Sequence, residues 1–441
     1  MPKVVVAIYI LLCYNKISKY RNYLKVRKVM KKVLIIFGCI LLCIGLALGG
    51  LSVANRINEG EIHKYIDSFS AVEYENQLTP QYDENGVAYF VTDDNFKVLH
   101  LTDIHIGGGC LSAKFDKMAI NAVAAMVSAE KPDLVVISGD MAATYPHAGT
   151  LNNRYSHEII CHMMEQLGVY WTVNFGNHDS EIYNTLSRSE VADIYEDENL
   201  KFCLFDRGPA DIYGESNHVI NVRNTKGLIT KSIFVMDSNS YTDEDPLGLQ
   251  WIYDNIHQDQ IDWYENTVKS LNQYNADLLA SMPENERPEN IDDFTAVQSL
   301  LFIHIPLMEV RRAYDEYLEA GDDTENVKYL SGKMGESAPY VYCSLEEEEM
   351  FETILALNST KAIFFGHDHL NNAVMDYKGV LFSYGFSVDY FAYAGIHKMG
   401  SQRGCTVINC SPDTSFEIVH ENYYQDKYVP LYEKEVVDLT N

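Results

Sequence analysis

Along this chain, polar side chains able to bind metals recur directly after apolar, β-branched runs. The series is Asp103-Ile104-His105, Gly139-Asp140, Gly176-Asn177-His178-Asp179, His304 and Gly366-His367-Asp368-His369. A strand ending in such residues presents them at a sheet edge, where α/β proteins build their sites. A chain with this series has to bring several strand ends together. One segment alone would be weak; the ordered set is specific.

The surrounding pattern supplies those strands. Lys97–Leu101 reads as a strand, and Phe115, Met118, Ala119, Ala122 and Met126 have helical spacing. Leu134–Ser138 reads as a buried strand, 155–167 as a helix and Val169–Asn174 as the next strand. This order implies an α/β fold with a parallel or mixed sheet covered on both faces. Further strands are expected at 201–205, 217–223 and 231–237, then a helix over Gln258–Asn272. Ser299–Ile305 is the strand carrying His304, and Lys361–Phe365 precedes the last motif. Strands near 371–375, 379–384, 404–409 and 415–420 are expected to close a second sheet. The polar stretches 276–297 and 319–346 read as surface insertions. The main domain is expected over 93–425, with a surface tail at 426–441.

Charge divides the chain. Residues 1–54 hold nine Lys/Arg and no Asp/Glu, leaving 25 basic and 63 acidic residues in the remainder, a net of −38. Such a body repels nucleic acid and anionic lipid at long range, so no nucleic-acid partner is expected. Val33–Ala54 is an apolar and small stretch of 22 residues behind Arg27, Lys28, Lys31 and Lys32. That length spans a bilayer, and the basic flank predicts an N-terminus inside and the acidic body outside. Residues 30–54 are thus read as an anchor in the cell membrane, with a cleaved signal peptide and a secreted body as the other reading. Met30-Lys31-Lys32 has the look of a start, which makes 1–29 a possible upstream extension; 55–92 reads as a stalk and an edge strand. Nine Cys occur without a CxxC pair, so a structural zinc site is not indicated. Cys405 and Cys410, five apart on one strand, would face opposite ways.

The motif residues suit a dinuclear centre. In an extended segment Asp103 and His105 share a face, as do His367 and His369. Gly139 allows a sharp turn that presents Asp140, whose two oxygens can bridge two cations. Asn177 offers a neutral amide oxygen, and His304, His367 and His369 offer imidazole nitrogens. Two divalent ions against Asp103, Asp140 and one hydroxide leave a locally positive site, suited to a phosphoryl group. The mixed N/O donor set suits Mn, Fe or Zn better than Ca. His178, beside Asn177, is placed to protonate a leaving oxygen. Asp179 either orients His178 or caps a helix starting near Ser180-Glu181.

With these motifs the chain resembles the calcineurin-like metallophosphoesterases over roughly residues 93–420, in the purple-acid-phosphatase-like branch. His304-Ile305-Pro306-Leu307 and Gln260-Ile261-Asp262-Trp263-Tyr264 are similar to that branch as well. The resemblance implies a four-layer α/β/β/α sandwich with mixed sheets. It implies one metal on Asp103, His105, Asp140 and His369, and the other on Asp140, Asn177, His304 and His367. His178 matches the family's catalytic His. The purple enzymes carry a Tyr three residues after the bridging Asp; here that position is Ala143, with Tyr145 nearby. A tyrosinate–iron colour is therefore not expected.

The resulting expectation is a surface-anchored, two-metal phosphoesterase acting on phosphate mono- or diesters. A non-catalytic surface binding protein on the same fold is the alternative from another class. A nuclease is disfavoured by the acidic body.

Overall fold

Strict alternation of apolar residues sorts side chains onto the two faces of each sheet. In the computed structural model, which describes residues 2–393, 396, 403–432 and 434–437 and side chains from Tyr14 onward, the chain divides into two units at Ile57/Asn58. The first unit is helical, part of helix α1 (Pro2–Ile66). From Tyr14, α1 is long and apolar enough to cross a membrane.

The second unit holds the strands β1 (Gln81–Tyr82), β2 (Ala88–Val91), β3 (Phe96–Leu101), β4 (Leu134–Ser138), β5 (Trp171–Asn174), β6 (His218–Arg223), β7 (Ile229–Val235), β8 (Ser299–Phe302), β9 (Val327–Ser331), β10 (Thr360–Phe365), β11 (Val374–Tyr377), β12 (Val380–Tyr384), β13 (Gly404–Cys410) and β14 (Phe416–Asn422). Its helices are α2 (Ala113–Glu130), α3 (Asn153–Leu167), α4 (Arg188–Tyr195), α5 (Gln258–Ser281), α6 (Asp292–Thr295), α7 (Met308–Ala320) and α8 (Met350–Leu357). One sheet runs β14-β13-β3-β4-β5 and the other β1-β2-β6-β7-β8-β10-β12-β11-β9. Both are mixed: β3, β4 and β5 are parallel, as are β7, β8, β10 and β12, with antiparallel strands outside them.

Four layers follow from the side-chain alternation. Phe96, Val98, Leu134 and Val136 of the smaller sheet meet Ile233, Leu300, Phe302 and Phe364 of the larger in one core. The opposite residues, Leu99, Val135 and Ile137, pack with α2 and α3. Leu301, Ile363 and Phe382 pack with α5, α7 and α8 on the far side. The arrangement is the expected α/β/β/α sandwich. Local chemistry sets the helix ends: the Asn152 side chain accepts from Arg154 N at the start of α3, and α4 begins with a Ser187–Glu190 capping box.

Several segments differ from expectation. The four C-terminal strands do not close one second sheet. β11 and β12 join the larger sheet, while β13 and β14 extend the smaller one through β3. Residues 201–205 form no strand; Cys203 alone bridges Trp171. Within the supposed stalk, residues 58–69 join the core, because Ile62, Tyr65, Ile66 and Phe69 are apolar at helical spacing and bury against α2, while 70–87 stay at the surface. The described part of 426–441 lies at the surface, with Val429, Leu431, Tyr432 and Val436 exposed, and is held at two points. Tyr428 is buried and donates to Glu130 Oε1 at 2.7 Å, and Glu435 accepts from Arg403 Nη1 at 2.9 Å. Cys405 and Cys410 lie in different cores on opposite faces of β13. They and Cys161, Cys203 and Cys343 are free thiols.

Candidate metal centre

Parallel strands β3, β4 and β5 of the smaller sheet and parallel β8 and β10 of the larger one lead into the motif residues. β3 leads into Thr102-Asp103, β4 into Gly139-Asp140, β5 into the Gly176–Asp179 loop, β8 into His304 and β10 into Gly366-His367. Together they supply two groups of donors. Asp103, His105, Asp140 and His369 form one, and Asp140, His304 and His367 form the other; the donor atoms of each group lie within 4.8 Å of one another. Asp140 belongs to both. Asn177 stands in the adjoining loop, its Oδ1 buried without a hydrogen-bond partner and its Nδ2 donating to Tyr241. Six of the seven expected ligands are thus gathered, and the seventh has a bare amide oxygen.

The backbone route differs from the one expected. Asp103, His105, Asp140 and His367 are not extended; their φ angles are 51°, 54°, 51° and 72°. Left-handed backbone at a non-glycine residue costs about 1–3 kcal/mol and persists where surroundings over-determine it. Here it aims His367 into one group and His369 into the other, although an extended strand would give them one face. Glycine makes the close approach possible. A Cβ on Gly366 would overlap Thr102 Oγ1 and Asp103 Oδ2, and one on Gly139, at φ +80°, would overlap the His304 ring.

A cation fits these groups. His304 Nδ1 donates to the Ser138 carbonyl at 2.8 Å, which leaves the bare Nε2 facing Asp140 Oδ2 at 3.2 Å. A lone pair opposite a carboxylate is repulsive unless a proton or a metal cation lies between them, and this nitrogen is placed to take either. His105 Nε2 stands 3.1 Å from the same Asp140 Oδ2, and His369 Nε2 stands 3.3 Å from Asp103 Oδ1. The field is strong: burial works against charge on His304, yet Asp140 and Asp103 outweigh it and lift its pKa to about 9. Burial likewise opposes charge on the two carboxylates, while His369 beside Asp103 and His304 beside Asp140 hold them below the usual range.

His178 lies at the rim with its side chain 23% exposed. Its backbone N–H donates to Asp140 Oδ1 at 2.9 Å. Its Nδ1 meets Glu181 Oε1 at 2.7 Å and the Tyr145 hydroxyl at 2.9 Å, so Nε2 is left facing outward. Asp179 takes neither of its two expected roles. Its carboxylate accepts from the N–H groups of Gly176, Asp140 and Ala142 at 2.8, 2.9 and 2.9 Å, stapling the β4 and β5 loops together.

Two acidic residues at the site escaped the sequence reading. Glu181 was visible only as a helix start, although its i,i+3 spacing from His178 was a signal. Asp389 had none. It arrives because Ser387 bridges Thr102, and its oxygens stand 3.6 Å from His105 Nδ1 and 3.8 Å from His369 Nδ1. It also accepts from Phe391, Ala392 and Tyr393 N–H groups, which fixes it in place. His147 stacks on Tyr145, whereas Arg154 turns away to pair with Glu158. Of the two insertions, 319–346 reaches the site through Tyr342, and 276–297 packs Leu279 and Phe294 against Leu228.

The calcineurin-like phosphoesterase family model matches residues 96–371. The chain is 25% identical over 329 residues to "Probable inactive purple acid phosphatase 28" of Arabidopsis thaliana, covering 69% of this chain and 73% of that protein. It is 26% identical over 336 residues to "Probable inactive purple acid phosphatase 14" of the same plant, covering 70% and 74%. Among solved structures it is similar to a dimetal phosphatase from Danio rerio, with a TM-score of 0.42 and 11% identity over 76% of this chain and 98% of that one.

Proposed function

The chain belongs to the calcineurin-like phosphoesterase family, and from that premise we propose that it is a working hydrolase of phosphate mono- or diesters. The observation that carries this is the shared Asp140, which joins two donor groups next to a histidine left free at Nε2. In this reading Asp103, His105, Asp140 and His369 hold one divalent ion, and Asp140, Asn177, His304 and His367 hold the other. Mn, Fe or Zn suits these donors. When bound, the pair supplies Lewis acidity and an activated water for in-line displacement.

The protein's own groups do the rest. Asp140 sets the spacing of the two groups, and Thr102 and the His367 N–H fix Asp103 by hydrogen bonds of 2.9 and 3.2 Å. Asn177 contributes an oxygen without adding negative charge. His178 gives a proton from Nε2 to the leaving oxygen, while Glu181 and Tyr145 hold its Nδ1. The apolar helix attaches the enzyme to the cell membrane with the acidic body outside, or directs its secretion if cleaved.

The relatives' names carry the word inactive, which favours the second reading, a binding protein on this fold. Turnover separates the two. The full chain in detergent, stripped of metal, is assayed with mono- and bis-nitrophenyl phosphate, with and without Mn²⁺, alongside Asp140→Asn. Mn²⁺-dependent release that Asp140→Asn abolishes supports the hydrolase, and the ratio of rates assigns mono- or diesters. A folded, metal-loaded protein without turnover favours the binding role.

A further inference from the structure

Tyr241 and Tyr253 face each other across the base of a loop, their rings stacked 5.5 Å apart and their backbones joined by a β-bridge. Both touch the candidate metal centre. The Tyr241 hydroxyl accepts from Asn177 Nδ2 at 2.7 Å, and the Tyr253 ring packs edge-on against His367 at 4.6 Å. The loop between them is built around Asp245. This residue is buried, and its carboxylate accepts from the N–H groups of Leu249, Gln250 and Ile252 at 2.9, 2.8 and 3.3 Å.

That internal order turns apolar side chains into water. Leu247, Leu249 and Trp251 are 50%, 76% and 63% exposed. Folding alone does not account for this, because burying such groups is favourable by about 1.5–3 kcal/mol each. Of the three, Trp251 stands toward the site, two residues from Tyr253, which is itself buried against His367. Trp251 also meets the Tyr342 ring edge-on at 6.0 Å, and the Tyr342 N–H is 3.3 Å from the carboxylate of Asp368, which lies between His367 and His369. The wall therefore runs from Asn177 to the His367–His369 turn.

Charge narrows what the wall accepts. Arg188, which reaches the Asn177 loop, donates to Asp237 at 2.7 Å and to the Gly176 carbonyl at 2.8 Å, so its charge is committed beneath the loop. A substrate with several anionic groups would meet a body of net −38. One phosphoryl group joined to an uncharged ring incurs less of that repulsion. Aromatic faces hold planar rings by offset stacking and edge contacts, and do so for many ring types.

We propose that the Tyr253–Trp251–Tyr342 wall binds a planar, uncharged aromatic leaving group, making aryl and heteroaryl phosphoesters the preferred substrates. This rests on the phosphoesterase reading above, and binding tests it separately from turnover. The full chain in detergent, loaded with Mn²⁺, is titrated by calorimetry with phenylphosphonate and methylphosphonate, neither of which can be hydrolysed. Phenylphosphonate is expected to bind about tenfold tighter, and Trp251→Ala to reduce that ratio to about twofold. Trp251 is largely exposed, and methylphosphonate binding by the variant reports that its fold and centre are intact.

A wild-type ratio near one, or a ratio unchanged in Trp251→Ala, overturns the proposal. Phenyl phosphate then separates the two readings. A Trp251-dependent binding preference without turnover keeps the wall and removes the hydrolase. Turnover without the preference keeps the hydrolase and removes the wall.

Discussion

Glu181 Oε1 lies 2.7 Å from Nδ1 of His178, and the Glu181 side chain is 5% exposed. Burial opposes charge on His178, but Asp140 and Glu181 outweigh it and raise its pKa above the ordinary histidine value. Removing the Glu181 charge takes away part of that rise, so His178 loses its proton at lower pH. If His178 acts as the proton donor, the alkaline limb of the kcat profile moves to lower pH in Glu181→Gln. Orientation is also lost, and kcat should fall roughly tenfold. A Glu181→Gln profile that overlays the wild type would remove Glu181 from this role.

Gly366→Ala tests the close approach at the centre. The added Cβ has to displace Asp103 Oδ2, which belongs to one donor group, and the Thr102 Oγ1 that donates to it. Metal affinity is expected to weaken roughly ten- to a hundredfold, the usual range when the support of a ligand is disturbed. Competition with a fluorescent chelator measures it. Wild-type affinity in the variant would contradict the geometry at Asp103.

Lys231 gives a stability effect remote from the centre. Its amine is buried, donates to the Thr414 carbonyl and lies over the Phe416 ring. Burial lowers its pKa from 10.5 to about 8. Between those values the unfolded chain binds more protons than the folded one, so stability rises with pH from about 8 to 10.5. The rise should be on the order of 3 kcal/mol. Urea melts across that window should show it in the wild type and lack it in Lys231→Met. An equal slope in both proteins would place the titration elsewhere.

The C-terminal end of α1 gives a truncation experiment. A chain starting at residue 58 keeps Ile62, Tyr65, Ile66 and Phe69 in the core, whereas one starting at residue 70 loses all four. Each buried side chain contributes about 1.5–3 kcal/mol, so the shorter chain forfeits a large part of a domain's net stability. Thermal melts should show a cooperative transition for the first and a severely lowered or absent one for the second. Equal melting temperatures would restore the reading of this stretch as a stalk.

By itself the sequence determined the strands that lead to the centre and the residues gathered at their ends. β-branched runs such as Leu134–Ser138 can bury only as interior strands, and a polar group placed directly after one must emerge at the sheet edge. That local rule located Asp103, Asp140, His304 and His367, and the resemblance added a proposed grouping whose carboxylates and imidazoles lie near one another. Tertiary structure decided what depends on chain segments meeting from afar. Asp389 reaches His105 and His369 only through the pairing of Ser387 with Thr102. β11 and β12 went to one sheet and β13 and β14 to the other, a choice made by partner strands and not by the alternation within each. The left-handed backbone at Asp103, His105, Asp140 and His367 is likewise imposed by the surrounding fold, since none of these residues favours it alone.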